Sequence, residues 1–386
     1  MGLPSAEQML REAERATGHS DWVTEFTGVP FEALGILIDD LNNHAGFSAI
    51  GERRMYRRLH ETLCARLNYI ADRKLYPEIA DEPIDAPVFI LGLPRSGTTF
   101  LHNLLGSDPA NRAPRLHELM NPAPKTAEPL AAALHEQRCR ETLAYQGLLD
   151  DDWLAVHPMG AERAEEDIFF WELSLLSVVY PASADVPNYQ DYLFDRDFTP
   201  LYREMRAFLQ YLQHREGRRR WILKTPLHVR FLKEIIEVFP DATFVHCHRD
   251  TAKIYPSIGN LATVLYSKYT DKPPGARAIV NDYDGTWSEA LEFRKRPGMA
   301  ERFADVRFLD FQADPLGTVG RIYAALGIGT APERERAMAD WLAQDSAQRS
   351  SRKHHQYSLS DVGLTEADID RMTGDYLRAF DVPLER

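Results

Sequence analysis

The sequence predicts an α/β fold, a parallel sheet flanked by helices and preceded by a helical extension, and three observations carry that expectation. From Pro87 onward, short apolar runs alternate with loops and helical stretches, the pattern of strand–helix crossovers in a parallel sheet. The first apolar run, Val88-Phe89-Ile90-Leu91, breaks into Gly92-Leu93-Pro94-Arg95-Ser96-Gly97-Thr98-Thr99 and then into a helix. Residues 1 to about 84 lack that alternation and read as helices.

The elements follow in order. Ser5-Ala6-Glu7-Gln8 has the form of a capped helix start, Phe31 to Leu41 is a second periodic run, and Glu52 to Ile70, rich in Arg and Leu, is a third. The core begins at residue 85 and extends to 386. Its first strand and helix are followed by a long insertion, about 109–220, in which Ala131 to Leu149 and Asp167 to Val179 are helical candidates. Trp221-Ile222-Leu223-Lys224 and Thr243-Phe244-Val245-His246-Cys247-His248 are the next strands, ending in Lys224 and in Arg249-Asp250. Ligand loops are expected at the carboxyl ends of such strands. Residues from about 328 to 386 are expected to cap the core.

Composition narrows the function classes. The chain has 386 residues, 44% of them hydrophobic, enough for a large core. A net charge of −13 argues against coating nucleic acid, although a local basic cleft can still hold a nucleotide. The expected partner is a small molecule. Cys64, Cys139 and Cys247 are odd in number and far apart, which suggests neither a disulfide framework nor a metal motif. With no membrane-spanning apolar stretch and no secretory pattern, the expected location is the cytoplasm.

The loop after the first strand is an anion cradle. A buried strand, a glycine-bounded turn and a helix whose first amides lack internal partners aim several N–H donors at one spot. The pattern Gly92-x-x-x-x-Gly97-Thr98-Thr99 invites comparison with the Walker loop of nucleotide triphosphatases, yet Thr98 stands where that loop needs lysine and the cation is Arg95. The loop instead resembles the 5′-phosphosulfate loop of sulfotransferases that use 3′-phosphoadenosine 5′-phosphosulfate (PAPS), with Arg95 in the place of a common lysine.

Further segments carry the same resemblance. Lys224-Thr225-Pro226 resembles the family's lysine segment beside the sulfuryl group. Arg249, with Ser257 eight residues beyond it, resembles the pair that binds the nucleotide's 3′-phosphate. Val306 to Pro315, with the helical run through Ile322 to Leu326-Gly327, resembles the strand, Asp-Pro and helix unit that ends the core. The resemblance covers roughly residues 87–327. It implies a P-loop-like three-layer core and a donor site made of Arg95, Ser96, Gly97, Thr98, Thr99, Phe100, Arg249 and Ser257. Phe100 is expected on the adenine side, and Arg352, with Lys353, in a basic loop over the 3′-phosphate.

The implied reaction moves a sulfuryl group from PAPS to a hydroxyl or amine of a small-molecule, lipid or glycan acceptor, leaving adenosine 3′,5′-bisphosphate (PAP), and requires no metal. Arg95, Lys224 and the loop amides are the expected electrostatic groups. A base is also needed. Pro226 stands where many cytosolic relatives place a catalytic histidine, so Glu118 is the first expectation, with His228 and His157 competing and His117 beside it. His246 and His248 are expected on the opposite strand face from Cys247, a poor arrangement for one metal. The N-terminal helices are expected to line the acceptor pocket or to form a homodimer contact. A P-loop kinase and a non-catalytic nucleotide-binding protein are the alternatives; Thr98 and the Arg249–Ser257 pair speak against the kinase, while Pro226 keeps the second open.

Overall fold

The structure is a computed structural model, described for residues 2–125, 129–274, 286–349 and 358–385. Arg352 and Lys353 lie outside the described residues. The chain forms two compact units. One comprises Met1–Ile84, Arg115–Arg218 and Ala262–Ala278, and the other Asp85–Pro114, Arg219–Leu261 and Ile279–Arg386.

The first unit is helical. Helix α1 (Ala6–Thr17) starts on Ser5, whose side chain accepts from the Gln8 amide, and stops at Gly18 in the left-handed region. Helix α2 spans Phe31–Asn43, and α3, Ala49–Leu75, starts on Ser48. These three match the runs expected from the sequence, with longer ends. In the second unit, β1 (Val88–Leu91) leads through the glycine loop to α4 (Thr98–Gly106) and the short β2 (Asn111–Arg112). The chain then returns to the helical unit for α5 (Leu116–Met120), α6 (Pro129–Gln146), α7 (Asp151–Val156), α8 (Ile168–Trp171), α9 (Val179–Ser183), α10 (Pro187–Phe194) and α11 (Thr199–Gln213).

Strands β3 (Arg220–Lys224), β4 (Thr243–His248) and β5 (Phe303–Arg307) complete one parallel sheet of order β2-β3-β1-β4-β5. Between and after them run α12 (Leu232–Val238), α13 (Thr251–Tyr266), α14 (Thr286–Arg294), α15 (Phe308–Ala313), α16 (Pro315–Ala325), α17 (Pro332–Arg349) and α18 (Glu366–Ala379). Strand alternation divides the side chains between two layers. Val88, Ile90, Ile222, Val245 and Cys247 pack with Leu101 and Leu104 of α4 and with Val319 and Ile322 of α16. Phe89 and Phe244 face the other way, where Phe239, Phe293 and Phe303 join them at ring separations of 4.6–6.5 Å. The sheet is thus flanked on both faces, as expected.

Three sequence expectations need correction. The insertion contains a strand, because Asn111 and Arg112 pair with Arg220 and Trp221 at the sheet edge; two polar residues give no strand signal. Asp167 to Val179 is not one helix. It breaks after α8 into a 3-10 turn that ends on Leu175 at φ 51°. Tyr189 and Ser177 hold the break: the Tyr189 hydroxyl donates to the Leu175 carbonyl at 2.8 Å, and the Ser177 hydroxyl to Ile168 at 2.7 Å. Finally, the run expected as a strand from Val306 turns helical at Phe308, because Phe308 and Phe311, three residues apart, share one helix face beside Gly97.

Each unit has a polar centre, that of the helical unit fully buried and that of the sheet unit open on the Asp305 side. In the helical unit, Arg58 makes a fork with both oxygens of Glu172 at 2.7 Å, with Tyr269 accepting a third bond at 3.1 Å. Burial opposes the Arg58 charge, but Glu172 outweighs it and raises the guanidinium pKa well above its ordinary value. In the sheet unit, His246 and His248 share a face as expected, and Asp305 on β5 completes a cluster with metal-ligand geometry. Arg294 already supplies a cation there. It grips Asp305 at 2.8 and 2.9 Å and donates to His246 Nδ1 at 3.0 Å, while His248 bonds Asp305 at 2.8 Å.

Burial lowers both histidine pKa values, for His246 with help from its neighbours His248 and Arg294. Burial would raise Asp305, yet its bonds to His248 and Arg294 hold it far below the usual carboxylate range.

Two outcomes follow from these centres. Arg58→Leu strands Glu172 and is expected to cost about 3–5 kcal/mol in denaturant unfolding, more than a Glu172→Leu, Arg58→Leu double variant. Because both histidines have depressed folded-state pKa values, the unfolded chain binds protons that the folded chain refuses. Their stability contribution is complete above about pH 6.5 and is lost as pH falls, by up to about 1.4 kcal/mol per pH unit for each histidine. Unfolding midpoints between pH 7.5 and 5 should show that slope, and a His246→Gln, His248→Gln variant should flatten it.

Candidate functional site

Three adjacent strand ends build the site. Strand β1 lies between β3 and β4, with Ile90 level with Lys224 and Leu91 level with His246. The loop after β1 therefore opens beside Lys224 at the end of β3 and Arg249 just past β4. This is the carboxyl edge of a parallel sheet where the chain switches from one side of β1 to the other.

The loop needs its glycines. Gly92 has φ 128°, and a Cβ there would sit 2.4 Å from the Cys247 carbonyl oxygen of β4. Gly97 has φ 93° and faces the Phe308 ring, 3.1 Å from where its Cβ would be. Between them the Ser96 amide and hydroxyl both bond the Leu93 carbonyl, at 3.3 and 2.7 Å, closing the turn. Gly97 is the N-cap of α4 and offers no side-chain cap, so the first amides of the helix face the loop's hollow without an intervening side chain.

The charged groups gather around that hollow. Lys224 is buried and donates to the Thr99 hydroxyl at 3.3 Å. Arg95 adopts φ 70°, an uncommon conformation for a residue with a Cβ, and its Nε donates to Ser257 Oγ at 3.0 Å. The constraint on Arg95 comes partly from Arg249, whose Nη1 donates to the Arg95 carbonyl at 3.0 Å. Arg249 also lies over the Phe308 ring at 3.8 Å and makes a two-pronged ion pair with Glu385, at 2.9 and 3.0 Å. The structure thus brings Arg95, Ser96, Gly97, Thr98, Thr99, Lys224, Arg249 and Ser257 to one edge of the sheet.

The Phe100 ring packs against Phe311 at 5.1 Å and Trp341 at 5.5 Å, on the apolar layer over the sheet, and is partly buried there.

The base candidates divide between the units. His228, in the sheet unit, is fully buried in a 3-10 turn after β3 and meets the Phe89 ring edge-on at 4.9 Å. Glu118, His117 and His157 belong to the helical unit. The Glu118 carboxylate accepts from the Arg115 amide at 2.8 Å and so caps α5. His117 Nδ1 lies 2.8 Å from the Ala161 carbonyl, which makes that nitrogen the donor and leaves Nε2 to carry the lone pair. His157 pairs with the buried carboxylate of Glu165 at 3.1 Å, a histidine–carboxylate dyad.

Sequence reasoning missed two features. Glu385 lies 136 residues from Arg249 and has no local motif; only the folded path of the chain joins them. The helical unit also holds a cavity of about 350 Å³, lined by Arg57, His60, Cys64, Met120, Cys139 and Glu141 among others. Helical periodicity across α3, α5 and α6 does not reveal that their buried faces leave a hollow.

Comparison with known proteins agrees with this geometry. A family model described as the sulfotransferase family matches residues 87–332. The omega-hydroxy-beta-dihydromenaquinone-9 sulfotransferase Stf3 of Mycobacterium bovis, and that of Mycobacterium tuberculosis, are 30% identical over 258 residues, or 64% of this chain. The match spans 63% of the length of these relatives. Among solved structures, the sulfotransferase STF1 from Mycobacterium tuberculosis superposes with a TM-score of 0.80 at 31% identity, covering 97% of this chain and 99% of that one. STF9 from Mycobacterium avium gives 0.83 at 26% identity, covering 99% and 98%. With the family model covering more than half of its length, the chain belongs to the sulfotransferase family.

Proposed function

We propose that the protein transfers a sulfuryl group from PAPS to a hydroxyl group of a small-molecule or lipid acceptor. The observation that carries this reading is the single network joining Arg95, Ser257 and Arg249 beside the loop that Lys224 closes through Thr99. A kinase would need a lysine at Thr98 and has no use for a second anion site at Arg249 and Ser257. Family membership argues against it as well. The Stf3 name specifies a hydroxylated dihydromenaquinone, which supports a hydroxyl acceptor of lipid character.

The residues fit the donor. Gly92 and Gly97 let the loop pack directly against the Cys247 carbonyl and the Phe308 ring, and the amides at the start of α4 with Arg95 and Lys224 match a 5′-phosphosulfate. Arg249 and Ser257 match the 3′-phosphate. When bound, PAPS supplies the sulfuryl group, and the acceptor oxygen exchanges its proton for that group as PAP leaves. Lys224 and Arg95 stabilise the negative charge that develops on the leaving phosphate, and the burial of Lys224 beside the sheet strengthens its effect. The acceptor proton passes to Glu118 in this reading. The Glu165 partner of His157 gives a second candidate, since a buried carboxylate orients an imidazole and stabilises its protonated form.

With labelled donor and a panel of hydroxylated lipids, phenols and sugars, Lys224→Ala should lower turnover by about 10²–10³-fold while PAP binding changes little. Arg249→Ala should weaken PAP binding by about 10–100-fold. Glu118→Gln, His228→Gln and His157→Gln, compared at equal donor saturation, identify the base: the one that abolishes turnover and leaves PAP affinity intact. Absence of any sulfated product with all acceptors, despite tight PAP binding, would favour the non-catalytic alternative.

A further inference from the structure

The proposed 3′-phosphate site already holds an anion from the chain itself. Both oxygens of Glu385 receive bonds from Arg249, at 2.9 Å from Nε and 3.0 Å from Nη2. That is the forked, planar geometry in which guanidinium groups also bind phosphate. The Glu385 amide donates to Asp250 at 2.9 Å, next to the arginine. Both charged side chains are largely shielded, 21% and 14% exposed, so the contact is more than a solvated surface pair.

The segment is built to move over a short distance only. Phe380 and Val382 are buried with Tyr376 and Leu377 of α18, and α18 is fastened to the start of α13 by the bond between Thr373 and Thr251 at 2.6 Å and by Ile369 packing on Ala252 and Tyr255. Past that anchor, Leu384 is exposed and Glu385 is held by Arg249 and Asp250. Release of Glu385 therefore leaves the buried anchor of Phe380 and Val382 in place.

We propose that Glu385 is a built-in competitor for the nucleotide's 3′-phosphate and thereby sets the affinity of the donor site for 3′-phosphorylated nucleotides. The inference rests on the assignment of Arg249 and Ser257 to that phosphate. A phosphate with two negative charges displaces the singly charged carboxylate from the guanidinium. A nucleotide lacking that group leaves the Arg249–Glu385 pair closed. After transfer, the returning carboxylate favours departure of PAP. Glu385 thus acts on ligands with a 3′-phosphate and is indifferent to those without one, which a purely structural role for the ion pair would not produce.

The test is calorimetric titration of the full chain with PAP and with AMP, for wild type, Glu385→Gln, Glu385→Ala and Arg249→Ala. The expected result is PAP affinity raised about tenfold in both Glu385 variants, AMP affinity unchanged, and faster amide exchange at Leu384 and Glu385 of the wild type on PAP addition but not on AMP addition. If PAP remains preferred over AMP and sensitive to Arg249→Ala, but the Glu385 variants bind it equally or more weakly, Glu385 is a positioning residue and the competitor role is overturned while the phosphate assignment stands. If wild type binds AMP as tightly as PAP, or Arg249→Ala leaves PAP affinity unchanged, the phosphate assignment itself fails and the inference falls with it.

Discussion

The close passage of Gly92 against the Cys247 carbonyl of the neighbouring strand is the constraint on which the sheet unit depends. It lets β1 stay in register with β4 to its last residue, Leu91, and still turn at once toward α4. Any side chain at Gly92 would push the loop away from β4, and with it the backbone of Arg95, which Arg249 holds from the β4 side. The ordering of the cations is therefore a consequence of sheet geometry. Parallel pairing brings Lys224, Arg249 and the glycine loop, far apart in sequence, to one edge without a dedicated scaffold.

Electrostatics within the same unit separates two uses of charge. On the face below the loop, Asp305, Arg294 and the two strand histidines satisfy one another, and the arginine takes the position that a metal would otherwise fill. At the sheet edge the excess is cationic: Arg95, Lys224 and Arg249 converge, and a carboxylate from the segment after α18 offsets one of them. A chain of net charge −13 thus keeps a local site suited to an anionic ligand. The helical unit answers a different demand. Its buried Arg58–Glu172 fork lies beside the hollow between α3, α5 and α6.

Much of this was legible in the sequence because the relevant signals are local. Four apolar residues before a glycine, a lysine closing a strand and Ser5 ahead of α1 each carry their own physical reason, and each element formed where that reason placed it. What was not legible depends on contacts across the chain. Asn111 and Arg112 become a strand only because Arg220 and Trp221 offer an edge. Phe308 to Ala313 looks extended by composition, but the hollow beside Gly97 selects the helical spacing of Phe308 and Phe311. Glu385 has no motif, and the base cannot be read from residue type, since Glu118 caps a helix while His157 has the carboxylate partner.

The central claim is that the loop from Gly92 to Thr99 and the Arg249–Ser257 pair hold the two phosphates of one nucleotide. The most direct measurement is a crystal structure with PAP bound in metal-free buffer. The account predicts the 5′-phosphate on the amides of residues 97–99 beside Lys224, and the 3′-phosphate between Arg249 and Ser257. A nucleotide bound with its 3′-phosphate away from Arg249, or with neither phosphate on the loop, would contradict it.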